Sequence, residues 1–219
     1  MEALPVLEDK WCRARALDNP LRRWLVPAGR DLERLDPPPG STAVDLGAGV
    51  GVHVPQWLER LGPTGRLYLV DPDPENLQRW IRRSADDARL CPIVSSAASI
   101  PSIDSEGADR VLLSLALCCL VEKERVMEEA WRVLRPLGRL LVTFPRSYRR
   151  PSARRPLRLS VEHWAALARV RPWRELAGHR GPFLEWHLLE KPGGRSGSSN
   201  GSPDRGSSVP RAVPRRDAP

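Results

Sequence analysis

Seven consecutive residues, Asp45-Leu46-Gly47-Ala48-Gly49-Val50-Gly51, set three alternate glycines behind an acid. Glycine has no Cβ and tolerates positive φ, so a ligand can lie close against the backbone there. The apolar run Thr42-Ala43-Val44 precedes the turn. The stretch that follows reads as a helix, whose free N–H groups and positive dipole end would face the turn. A second apolar run, Leu67-Tyr68-Leu69-Val70, closes on Asp71. An acid at the end of such a strand can accept hydrogen bonds from a ribose diol. Strand, glycine turn, helix, strand and acid describe a unit that cradles a nucleotide. The dinucleotide fingerprint G-x-G-x-x-G is not met: its last glycine would fall on Val52 counted from Gly47, or on Val54 counted from Gly49.

Other residues could carry chemistry. His53 sits just past the glycines, as a base or, on the favoured reading, as a polar helix start. Cys118 and Cys119 could border a substrate pocket, but packing as small hydrophobes is the favoured reading. The four cysteines, Cys12, Cys91, Cys118 and Cys119, show no C-x-x-C spacing, and neighbours in sequence are poor disulfide partners. Their pattern fits a reducing cytoplasm. No Ser-His-Asp or Cys-His set is readable, and no zinc site.

The elements that would position these residues alternate. Residues 9–35 read as helical, with Asp18-Asn19-Pro20 offering a cap and a first-turn proline. Pro37-Pro38-Pro39-Gly40 stops any helix. Strands are expected at 42–46, 66–71, 89–95, 109–115, 139–144, 173–178 and 183–190. Helices are expected at 51–61, from Asp73 to about Ala85 (Asp73 as cap), at 122–134 and at 160–168. The alternation implies an α/β, doubly wound, Rossmann-like sheet with right-handed crossovers.

The chain has 219 residues and a formal net charge of +8, with 41% hydrophobic residues. One domain over residues 1–192 and a tail over 193–219 are expected. The tail is Gly, Ser, Pro and Arg with few apolar residues, a composition that stays disordered. The charge is uneven: residues 1–145 carry net −2, whereas residues 146–180 hold 10 arginines against Glu162 and Glu175. The basic cluster Arg146, Arg149, Arg150, Arg154 and Arg155, within 146–158, could bind RNA phosphates or an anionic small molecule, or be a solvated loop. Two tyrosines and two phenylalanines make stacking platforms for nucleic acid sparse. The longest apolar run, Val111 to Val121, has 11 residues, too few for a membrane span. No basic stretch followed by an apolar core opens the sequence, so no secretory signal is visible.

The pattern D-x-G-x-G-x-G at Asp45, Gly47, Gly49 and Gly51 resembles motif I of the class I S-adenosylmethionine (SAM) methyltransferases. Asp109-Arg110-Val111 and Arg132-Val133-Leu134-Arg135-Pro136-Leu137-Gly138-Arg139-Leu140 resemble two later motifs of their quinone-biosynthesis branch. Leu137 replaces the first glycine of the second motif, which is expected to reshape its turn. The resemblance covers roughly residues 10–192, as one domain of ordinary size. It implies a seven-stranded sheet of order 3-2-1-4-5-7-6 with strand 7 antiparallel, and SAM as cofactor. It also implies a cofactor site at Asp45, Gly47, Ala48, Gly49, Gly51, Asp71, Pro72, Ser96, Ala97 and Leu115. Asp71 would hold the ribose hydroxyls, helix capping being the lesser reading. Asp45 would orient the loop near the cofactor's amino group. Ser96 stands where relatives often place an acid on the adenine amino group; a neutral bond is weaker. The N-terminal helix would close as a lid. The implied activity is methyl transfer to a small-molecule acceptor. The alternatives are an RNA or protein methyltransferase using 146–158, and a non-catalytic protein of this fold.

Overall fold

The computed structural model describes residues 28–120, 122–145 and 159–193. Most of the expected N-terminal lid, the segment 146–158 with Arg146, Arg149, Arg150, Arg154 and Arg155, and the tail from residue 194 lie outside the described residues.

The first described element is helix α1 (Ala28–Leu35), which buries Asp31, Leu32 and Leu35. Strand β1 (Thr42–Leu46) follows, then α2 (Val54–Leu61), β2 (Arg66–Asp71), α3 (Pro74–Arg83) and β3 (Leu90–Val94). The glycine turn is longer than expected, since α2 opens at Val54 with a proline in its first turn. Asp73 caps α3, its carboxylate accepting the Glu75 N–H at 2.9 Å. Strand β4 (Ala108–Ser114) is buried at every residue, as befits a central parallel strand covered on both faces. A 3-10 turn (Leu117–Cys119) leads to α4 (Lys123–Val133), β5 (Leu134–Pro145), α5 (Val161–Leu167), β6 (Arg174–Arg180) and β7 (Leu184–Glu190).

The strands form one sheet of order β3-β2-β1-β4-β5-β7-β6, the order the resemblance implied. Neighbours from β3 to β5 run parallel, and β7 is antiparallel to both β5 and β6. Only Gly181, Pro182 and Phe183 separate β6 from β7. So short a link makes a hairpin, whereas a parallel pair needs a crossover. β6 is the edge, exposed at all of its residues.

Two apolar layers flank the sheet. Val44, Leu46, Val111, Leu113, Leu140, Val142 and Phe144 pack against α4 and α5 through Val126, Met127, Ala130 and Trp164. Ala43, Leu67, Leu69, Leu112 and Leu141 face the other way, toward Leu32, Leu35, Trp57, Leu77 and Trp80 of α1, α2 and α3. Successive residues of one strand thus feed opposite layers.

β5 starts five residues before its expected boundary, and its register with β4 shifts near Ala108 and Arg110. Leu137 sits in this early part with φ +65°, keeping the left-handed conformation for which glycine is the usual residue. β7's continuation braces it: the Leu137 N–H donates to Lys191 O at 2.8 Å, and the Lys191 N–H donates to Gly138 O at 2.9 Å.

Candidate functional site

In an open parallel sheet, ligands bind beyond the carboxyl ends of the strands, where neighbouring crossovers depart in opposite directions. Here that point lies between β1 and β4. The turn after β1 and the turn after β4 meet there. Gly47, Gly49 and Gly51 all have positive φ, of 72°, 54° and 74°. A Cβ at Gly47 would come within 2.5 Å of the Ala116 Cβ, and one at Gly51 would overlap the Trp80 indole. Both glycines are therefore required twice, by conformation and by space.

The turn is fastened to the end of β2. The N–H groups of Gly47 and Ala48 donate to Val70 O at 2.8 and 3.0 Å. Gly49 N–H donates to Asp71 Oδ2 at 2.8 Å. Trp80 Nε1 reaches Val50 O at 3.0 Å. Asp71 Oδ1 accepts from the Asp73 N–H and from Asn76 Nδ2, each at 3.0 Å. Three of the roughly four acceptor positions of this carboxylate are thus engaged. Burial pushes its pKa up, against the lowering effect of those hydrogen bonds. The helix cap is Asp73, so Asp71 is left to tie the loop to the strand.

Asp45, buried at the end of β1, accepts from Trp57 Nε1 at 3.3 Å. Ala48 is buried and Pro72 half-buried beside it in the same rim. After β3, Ser96 Oγ accepts the Ala98 N–H at 3.2 Å, while Ala97 is fully buried. Leu115 leaves β4 with φ +58°, its N–H on Thr143 O at 2.7 Å. A left-handed leucine costs about 1–2 kcal/mol, and such strain gathers where the backbone must present a ligand surface. The carboxyl ends of β1, β2, β3 and β4 therefore carry all ten residues singled out from the sequence.

One residue departs from its sequence reading, and a second had none. His53 occupies the position before α2 but makes no side-chain cap bond. It is buried, and its ring turns inward between two carboxylates, Nε2 3.5 Å from Asp31 Oδ2 and Nδ1 3.9 Å from Asp45 Oδ2. Asp31 drew no notice in the sequence, yet it is a hub. Its Oδ2 accepts from Ser114 Oγ at 2.8 Å, and its Oδ1 accepts from Arg34 at 3.1 Å and from Thr143 Oγ1 at 3.3 Å. Burial works to raise this carboxyl, but His53, Ser114 and Arg34 outweigh it and hold the pKa below the ordinary carboxylate value. A signal was present: Ala28, Asp31, Leu32 and Leu35 fall at the i, i+3, i+4, i+7 spacing of a buried helix face, and one of the four is an acid.

Beside the hub, a cavity of about 240 Å³ opens between α1 and the β6–β7 hairpin, floored by Asp31 and Thr143. The Cys118 sulfur lies 3.4 Å from Leu115 O. The Cys118 and Cys119 sulfurs stand 3.8 Å apart. No cluster of metal-ligating side chains occurs among the described residues. Nor is any described helix long and apolar enough to cross a membrane.

Sheet order, glycine turn and strand-end acid define the class I SAM-dependent methyltransferase fold. Residues 44–142, somewhat under half of the chain, match the family model described as a methyltransferase domain. Over 105 residues the chain is 31% identical to the ubiquinone/menaquinone biosynthesis C-methyltransferase of Laribacter hongkongensis, covering 48% of this chain and 43% of that one. Over 94 residues it is 37% identical to the ribosomal RNA small subunit methyltransferase H of Halorhodospira halophila, covering 41% and 29%. The match thus spans less than half the length of these curated relatives. Among solved structures, a SAM-dependent methyltransferase from Aquifex aeolicus superposes with a TM-score of 0.68 at 20% identity, over 81% of this chain and 96% of that one.

Proposed function

We propose that this chain transfers the methyl group of SAM to a small-molecule acceptor, in the cytoplasm. The observation that carries the reading is the glycine turn fastened to Asp71 at the switch point of the sheet. The residues present fit the cofactor. The turn at Gly47 has no room for a side chain, which leaves its backbone as the bearing surface. Asp71 would accept from the ribose hydroxyls, Asp45 would face the amino group, and Ser96 and Ala97 would border the adenine. Leu115 and Pro72 would close the apolar walls.

When bound, SAM supplies an activated methyl group on a sulfonium, so the chemistry needs alignment and exclusion of water more than a strong base. In this chain alignment falls to the rigid turn and to the Asp31 hub, which locks α1 onto β4 and β5. Calorimetric titration with SAM and with S-adenosylhomocysteine tests the reading. Micromolar binding of both is expected. Asp71→Ala is expected to weaken it by at least about tenfold, the loss of a hydrogen bond to a charged group. Absence of binding in folded protein would overturn the proposal.

An RNA acceptor is the second reading, motivated by Arg146, Arg149, Arg150, Arg154 and Arg155 and by the likeness to a ribosomal RNA methyltransferase. It requires binding that falls steeply with salt; salt-insensitive or absent RNA binding would exclude it.

A further inference from the structure

The cavity beside the hub has a chemistry of its own. Arg30 and Arg34 come from α1, and His179, Phe183 and Trp186 from the hairpin and its strands. The Arg34 guanidinium is already fixed, bonded to Asp31 at 3.1 Å and stacked 4.5 Å above the Trp186 ring. Its charge is matched by that carboxylate. Arg30 and His179 line the same space with no carboxylate partner among the described residues. The one acid in the lining, Asp31, is wholly buried and surrounded by donors. The cavity therefore presents an excess of positive charge.

Its other feature is aromatic. Phe183 is 73% exposed, the most of any large hydrophobic side chain among the described residues, and it lines the cavity together with the half-buried Trp186. The His179 ring lies 6.4 Å from that of Trp186. An exposed aromatic next to the Arg30 guanidinium, which has no carboxylate partner among the described residues, suits a partner that is flat and anionic, covering the ring and matching the charge together. The volume sets the size. At about 240 Å³ it falls below the usual range of roughly 300–1,000 Å³ for drug-sized ligands, so it holds a single small ring.

We propose that this cavity binds a monocyclic aromatic carboxylate, with the carboxylate on Arg30 and the ring between Phe183 and Trp186. A guanidinium fork matches a carboxylate through two parallel hydrogen bonds. That the bound compound is the methyl acceptor rests on the function proposed above; the anion selectivity of the cavity does not.

The test is an NMR titration of the full chain with benzoate and with benzamide, its uncharged counterpart, with and without S-adenosylhomocysteine. Benzoate is expected to bind at least about tenfold tighter than benzamide, the worth of a charge-assisted contact. Arg30→Gln, at an exposed position, should abolish most of that preference while leaving S-adenosylhomocysteine affinity unchanged. Phe183→Ser should weaken both probes. Equal affinity for the two probes, binding of neither, or an undiminished preference in Arg30→Gln would each overturn the inference. A protein that prefers benzoate but ignores S-adenosylhomocysteine would sink the methyltransferase reading and keep this one; the reverse outcome would do the opposite.

Discussion

Asp31 accepts from Ser114, Thr143 and Arg34, with His53 alongside, and so joins the first described helix to the ends of two central strands. Its lowered pKa gives a stability signature with a definite sign. A carboxyl whose folded pKa lies below its unfolded value stabilises the native state above the unfolded value. That contribution is lost as pH falls through the folded one. The Asp31→Asn variant is expected to be less stable than the parent by a constant amount from pH 7 to about pH 5. The gap should close below about pH 4, the ordinary range for Asp. Urea denaturation across that range measures it; a gap that widens on acidification would contradict the assignment. Asp71 has the opposite sign. Burial raises its pKa, so its ionisation opposes folding as pH rises through the folded value, and the two acids must be separated by mutation.

At the scale of elements, Leu137 is the informative case. The sequence showed a leucine where relatives of this type carry glycine, and the expectation was a reshaped turn. The backbone there is left-handed, with Leu137 largely exposed and two hydrogen bonds between Leu137-Gly138 and Lys191 holding the geometry. Leu137→Gly should relieve the backbone strain of about 1–2 kcal/mol, offset in part by the extra freedom of glycine in the unfolded chain. A net gain of up to about 1 kcal/mol in denaturant unfolding is expected; a loss would mean that the leucine side chain makes contacts worth more than the strain.

The same scale shows what the sequence could and could not reveal. Strand and helix positions followed from alternation, proline stops and the Asp73 cap, because these are local. The glycine turn was legible because only glycine fits it. The role of Asp31 was not, since its four neighbours come from residues 34, 53, 114 and 143, and nothing local forecasts that meeting. The inward turn of His53 was missed for the same reason. The cavity was missed because its two walls, α1 and the β6–β7 hairpin, lie at opposite ends of the described chain.

For the whole molecule, the two apolar layers share one sheet and should melt together. Leu140 and Leu141 are adjacent, fully buried, and point into opposite layers. Leu140→Ala and Leu141→Ala are each expected to cost about 2–5 kcal/mol and to shift one common transition, monitored in parallel by circular dichroism and tryptophan fluorescence. Two separated transitions would show that the layers unfold independently.

The placement of the cavity also orders events during synthesis. Arg30 is made early, while Phe183 and Trp186 emerge only after the five parallel strands have been translated. A nascent chain can complete the glycine turn and its Asp71 tether once β1 and β2 are out. It has no second wall for the cavity until the hairpin docks against β5. Contacts so distant in sequence form late and slowly. On the ribosome, the nucleotide cradle would thus be assembled before the chamber, and only the completed seven-stranded sheet would hold both at once.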